Sequence, residues 1–211
     1  DGSVLVYGGI SAVGGQVSTT AELIIPSENP SVEPLSIEPG TSRYKHESIR
    51  LDRDGSVLIV GGYDESGNLS DSVFRYFPLQ RTFLPQGGLS SPRASGALST
   101  TRLSGYPAAY SGGVTVGALA RTVELFSTRA DQGNVDSESP PCNDGVAASE
   151  ERGCFVNYQQ MDIARSHHQM LTAYAGTELL ILGGYTNVPK STVTDRIERF
   201  RRDAQRGTVV E

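Results

Sequence analysis

The sequence has no tryptophan, two cysteines, two methionines and three histidines, and aromatic residues make up 7% of its 211 positions. So few histidines and cysteines leave little material for a metal centre, which needs three or four converging ligands. No run of 18 apolar residues occurs, which excludes a membrane-spanning helix. The Gly-x-Ser-x-Gly elbow of a serine hydrolase is also missing. Basic charge is scarce: 18 Lys and Arg stand against 24 Asp and Glu, for a net charge of −6, so no nucleic-acid partner is expected. No apolar leader is visible at Asp1-Gly2-Ser3, where the chain reads as the middle of a domain, so the lack of a leader says nothing about localisation.

Glycine (24 residues) and proline (11) are abundant by contrast, which fits short strands separated by turns. Three segments share an apolar run closed by a glycine pair: Val4–Gly9, Val57–Gly62 and Leu179–Gly184. A fourth, Ala108–Gly113, is weaker and follows Pro107. The pairs are Gly8-Gly9, Gly61-Gly62, Gly112-Gly113 and Gly183-Gly184, and their first members are 53, 51 and 71 residues apart. Removing an acidic stretch of about two dozen residues from the long step restores a period of about 50. Arg43 and Arg165 each lie 18 residues before a glycine pair and Arg93 lies 19 before one. His46 and His168 share one phase, three residues after their arginines. After each pair comes an alternating segment: Ala21–Ile24, Val73–Tyr76, Val123–Phe126 and Ile197–Phe200.

These landmarks predict a four-stranded antiparallel sheet per repeat. The Arg-x-x-His segment opens the first strand, and the apolar run forms a second strand buried on both faces. The alternating segment is the third strand, and a short fourth follows, such as Cys154–Tyr158. Such a sheet cannot cover its own faces and must stack on others.

The motif Leu51-x-x-Asp54-Gly55-x-Val57-Leu58-Ile59-Val60-Gly61-Gly62 resembles the Kelch repeats of bacterial β-propellers, the branch that also resembles galactose oxidase. The resemblance spans nearly the whole chain apart from residues 131–153. It implies an all-β propeller with blades near 1–40, 41–90, 91–162 and 163–211. The family's late tryptophan is absent, and Phe83, Phe155 and Leu35 are the candidates to replace it. Second, third and fourth strands are expected four times, but first strands only three times. The expected architecture is therefore part of a ring of about six or seven blades.

Residues at one phase in every repeat read as structural, so Arg43, Arg93, Arg165, His46 and His168 are expected to bind main-chain carbonyls or neighbouring carboxylates, rather than to line a site. Galactose-oxidase chemistry would need a copper held by histidines and tyrosines, with a cysteine linked to a tyrosine, and no residue set here matches it. No cofactor is expected, and calcium is the weak alternative, at Asp64 and Asn68 or in the acidic stretch. The same Asp, Asn, Ser and Gly are also ordinary turn residues.

The repeat is broken between residues 131 and 153. Asp131, Asp136, Glu138, Asp144, Glu150 and Glu151 stand there against Arg152 alone, so five of the six net negative charges fall in this insertion. Cys142 and Cys154 are expected to form a disulfide, which places the chain in an oxidising compartment: secreted, periplasmic or on a cell surface. The insertion reads either as a solvated excursion or as a partner-binding loop. The expected function is a non-enzymatic interaction or structural module that engages other proteins. The alternative is a carbohydrate-binding or carbohydrate-active propeller, with Tyr7, Tyr63 and Tyr185 gathered beside the glycine pairs, and a third reading that the resemblance implies is a galactose-oxidase-like copper enzyme with its site in blades not present in this sequence.

Overall fold

The computed structural model describes residues 2–11, 15–38, 40–103, 105–128, 142–145, 152–201 and 208–210. The chain is all-β, with one short 3-10 turn at Tyr174–Gly176 and no α-helix among the described residues. The first sheet has three strands: β1 (Val4–Tyr7), β2 (Ala21–Ile25) and β3 (Ser31–Leu35). The second has four: β4 (Glu47–Arg50), β5 (Val57–Val60), β6 (Val73–Phe77) and β7 (Thr82–Gln86). The third contains β8 (Ala97–Leu103) and β9 (Tyr106–Ser111). A small hairpin of β10 (Val114–Thr115) and β11 (Ala118–Leu119) follows, and β12 (Thr122–Ser127) and β13 (Cys154–Gln160) complete that sheet. The fourth contains β14 (Gln169–Ala173), β15 (Glu178–Leu182), β16 (Ile197–Arg201) and β17 (Thr208–Val210). Each sheet is an antiparallel meander in chain order, with neighbours in sequence hydrogen-bonded in space.

The apolar core lies between successive sheets. Tyr7 and Ala21 of the first sheet meet Ile59 of the second, with Phe74 and Phe83 packed against them. Leu58, Val60 and Val73 of the second meet Ala108, Tyr110, Phe126 and Phe155 of the third. Ala109, Val123, Leu125 and Val156 of the third meet Met170, Leu179, Ile181 and Phe200 of the fourth. Strand period explains this arrangement: along β5, Ile59 faces one neighbour while Leu58 and Val60 face the other. An uninterrupted apolar run is therefore required at β5, and each side chain of that size contributes about 1.5–3 kcal/mol when buried. The first strands also meet, with β8 in contact with both β4 and β14.

Two of the aromatics nominated as tryptophan replacements lie in these layers. Phe83 packs against Tyr7 and Tyr76, and Phe155 against Tyr110 and Phe126. Leu35 packs on the first cluster. Pro107 does not prevent β9 from forming. It sits where the β8–β9 ladder is interrupted, between the Thr100–Ala108 and Leu103–Tyr106 pairs, and there its missing N–H costs no regular ladder bond.

The first sheet differs from the other three. Its far face carries Val4, Val6, Ile24 and Val32, each 36–58% exposed. Val4, Ile24 and Val32 stand opposite one another across the three strands. In the other sheets the corresponding face is covered by the preceding sheet. Among the described residues nothing pairs with the outer edge of β1, and β17 pairs with β16 instead of closing onto it.

Candidate functional site

The in-phase arginines fasten each sheet to the one before it. The main-chain oxygen of Arg43 accepts from the Gly9 N–H at 2.8 Å, that of Arg93 from Gly62 at 2.9 Å, and that of Arg165 from Gly113 at 2.9 Å. Close approach explains the other glycine of each pair. Gly8, Gly61 and Gly112 have φ of 59°, 63° and 58°, and a Cβ there would lie 2.3–2.5 Å from the same arginine oxygens.

The guanidinium groups reach into their own sheets. Arg165, fully buried, donates to Glu198 Oε1 at 2.5 Å, to the Gly183 oxygen at 3.0 Å and to the Arg196 oxygen at 3.1 Å. Glu198 also accepts from the N–H groups of Asp162 and Ile163, so the buried carboxylate has several donors. Arg93 makes the equivalent buried ion pair with Glu124 and donates to Thr122. Burial pushes the Arg93 guanidinium down to about 10, still protonated at neutral pH. In the second sheet Phe74 stands where the others have glutamate. Arg43 lies over its ring, 5.7 Å from the centroid, and donates to Ser72 Oγ and the oxygens of Gly40 and Ser42. Glu22 holds the same place in the first sheet, where it is exposed.

The two in-phase histidines sit in the seams. His46 meets Tyr7 edge-on at 5.6 Å, and His168 Nε2 lies 2.8 Å from Ser111 Oγ. Tyr7 and Ser111 each immediately precede a glycine pair of the preceding sheet. Burial, reinforced by Arg165 and His167, pushes His168 from 6.5 down to about 3. Protonation therefore favours the unfolded chain. The stability tied to neutral His168 is complete above about pH 6.5 and is lost progressively as pH falls towards 3. Acidification from pH 7 to 5 is expected to remove about 2 kcal/mol through this residue. The check is urea unfolding of the wild type and of His168→Gln at both pH values, with the pH-dependent loss smaller in the variant by that amount.

One end of the stack carries the exposed chemistry. Two residues after each in-phase arginine come Lys45, Ser95 and His167, with φ of 52°, 55° and 54°. Non-glycine residues rarely hold this left-handed conformation, and three equivalent instances mark a shared constraint. Main-chain bonds link them in a row: Ser95 N–H to the Lys45 oxygen at 3.3 Å, and His167 N–H to the Ser95 oxygen at 2.9 Å. Tyr44 and Tyr63 stack beside Lys45, with centroids 5.2 Å apart, and Tyr185 meets the His167 ring edge-on at 6.0 Å. Lys190 Nζ lies 2.8 Å from His167 Nε2. Tyr63 and Tyr185 thus share this end, whereas Tyr7 does not, being buried between the first and second sheets. His167, in a left-handed conformation ahead of β14, contacts Tyr185 and Lys190, whereas His168 contacts Ser111.

The base of the insertion is held between the second and third sheets. Cys142 and Cys154 form a disulfide. Asn143 donates through Nδ2 to Glu124 Oε2 at 2.6 Å and through its main chain to the Phe155 oxygen at 2.9 Å. Gly87 donates to the Gly153 oxygen, and the Gly153 N–H reaches Gln86 Oε1 at 2.7 Å. Asp144 pairs with Arg152. Asp131, Asp136, Glu138, Glu150 and Glu151 lie outside the described residues.

Asp64 and Asn68 close a turn. Asp64 Oδ1 accepts from the Ser66 and Asn68 N–H groups at 2.9 and 2.8 Å, and Oδ2 faces Asn68 Nδ2. Among the described residues, no group of three or more His, Cys, Asp and Glu side chains is placed to hold a metal ion. Sequence reasoning missed Glu124 and Glu198 as arginine partners, although both stand at one phase of the third strand. It also missed Tyr44, Lys45 and Lys190, because no residue of the same type recurs at the matching places of the other sheets.

No known protein-family model matches the chain. None of the curated proteins matches it either.

Proposed function

We propose that the chain is a run of Kelch-type propeller units, one domain over residues 1–211, acting as a non-enzymatic interaction module in an oxidising compartment. The observation that carries this reading is the same fastening made three times: an arginine oxygen on the preceding glycine pair, with the guanidinium turned into its own sheet. Titratable groups of that scaffold are consumed in packing, which is the behaviour of a platform. The exposed apolar face of the first sheet, with Glu22 beside it, supports a ring of about six or seven units in which another unit covers that face. The disulfide supports the secreted, periplasmic or surface setting.

The partner-binding element under this proposal is the acidic insertion, fastened at its base by Cys142–Cys154 and Asn143. The test replaces residues 131–141 with a Gly-Ser linker, keeping both cysteines, and compares proteins cross-linked to each form of the chain in its native compartment. Loss of a specific cross-linked protein from the variant, with an unchanged melting temperature, is expected. An identical set from both forms would overturn the role of the insertion. A second reading, carbohydrate binding, is favoured by one observation: the partly exposed Tyr44–Tyr63 stack beside Lys45.

A further inference from the structure

The chain contains two lysines, Lys45 and Lys190, separated by 145 positions in sequence, and the fold brings both to the same end of the stack. Lys45 Nζ lies 5.8 Å and 5.5 Å from the centroids of Tyr44 and Tyr63. Lys190 Nζ lies 2.8 Å from His167 Nε2. An ammonium only donates, so the imidazole accepts at Nε2 and carries its proton on Nδ1. The charges act on one another. Burial and then the Lys190 and Lys45 ammoniums hold His167 below its usual value, and burial and then Lys45 hold Lys190 below its own.

Convergent cations in a chain of net charge −6 are a notable arrangement. The ion pairs found among the described residues are all made by arginine, and neither lysine has a carboxylate partner there. The main-chain row through Ser95 links Lys45 of the second sheet to His167 of the fourth across the third, all three in strained conformations, so their placement at one end is built into the backbone. Two unpaired ammoniums raise the local concentration of an anion. Beside them the Tyr44–Tyr63 stack, with rings 23° from parallel, offers a flat apolar surface with hydroxyl groups at its rim.

The geometry points to a binding site for an acidic saccharide, with a uronate carboxylate between Lys45 and Lys190 and the sugar ring against the Tyr44–Tyr63 stack. The saccharide half rests on the carbohydrate-binding reading, and the anion half rests on the lysines. A lysine suits a single carboxylate held as a point charge, with no demand for the paired geometry an arginine imposes. The tyrosine surface is what favours a sugar over an acidic peptide.

The test is calorimetric titration of the whole chain with trigalacturonate, its fully methyl-esterified neutral counterpart and an octaglutamate peptide. Trigalacturonate is expected to bind, with the neutral sugar weaker by about tenfold or more. Lys45→Met and Lys190→Met should each weaken it about fivefold, the size of an exposed ion contact, with an unchanged melting temperature because both lysines are exposed. Tyr63→Phe keeps the stack and is expected to retain most of the affinity, whereas Tyr63→Ala loses it. Equal binding of the acidic and neutral sugars would overturn this inference and leave carbohydrate binding standing. Binding of neither sugar would overturn both. Binding of octaglutamate as tight as the sugar, indifferent to Tyr63→Ala, would overturn the saccharide in favour of a peptide.

Discussion

Replacing Arg165 with methionine is expected to lower the folding stability of the chain by about 3–5 kcal/mol, the usual cost of removing one partner from a buried ion pair. Methionine fills similar volume, so the loss reports charge and hydrogen bonding more than a cavity. The substitution removes the bonds to Glu198, Gly183 and Arg196 at once and leaves the Glu198 carboxylate buried, held among the described residues by the Asp162 and Ile163 N–H groups. The double variant Arg165→Met with Glu198→Gln should recover part of the loss, because a neutral amide costs less to bury than an unpaired carboxylate. Urea unfolding of the three proteins measures both effects. A loss below about 1 kcal/mol for the single variant would mean the pair is solvated, contrary to its burial.

The second large effect is expected at Gly112. An alanine there must hold a φ of +58° and place its Cβ 2.5 Å from the Arg165 oxygen and 2.7 Å from the His168 ring. The left-handed conformation costs a residue with a Cβ about 1–2 kcal/mol, and overpacking adds about 1–3 kcal/mol. Gly112→Ala should therefore cost about 2–5 kcal/mol. Gly117→Ala is the control. Its φ is +72° but nothing lies within 4 Å of the added Cβ, so only the conformational part applies. Equal losses at the two positions would show that close approach between sheets is not what the glycine pair serves.

The all-β class and the order of strands within the antiparallel sheets were readable in the sequence because its landmarks recur. The apolar run, the glycine pair and the arginine each answer to a constraint that recurs at the seams between sheets: a covered face, a neighbour's main chain, an oxygen to offer it. That the first sheet has three strands where the others have four was also readable, because no Arg-x-x-His segment stands before Val4. What was not readable is whatever breaks phase. Phe74 in place of a glutamate changes the partner of Arg43 from an ion to a ring, and no local pattern announces it. Asn143 reaches Glu124 from within the insertion, a contact set by where the disulfide holds it. Tyr44 was visible only as a residue between Arg43 and His46, and Lys190 only as part of a loop. Their meeting with Lys45 and His167 depends on the row of main-chain bonds that crosses three sheets.

The account rests on one unit repeated, with Arg43, Arg93 and Arg165 in equivalent roles and different partners. The most direct test is the unfolding free energy of Arg43→Met, Arg93→Met and Arg165→Met measured side by side. Arg93 and Arg165 face buried glutamates and should lose about 3–5 kcal/mol each. Arg43 faces Phe74, leaves no buried carboxylate behind, and should lose about 1–2 kcal/mol. A loss at Arg43 as large as at the other two, or small losses at all three, would contradict the account.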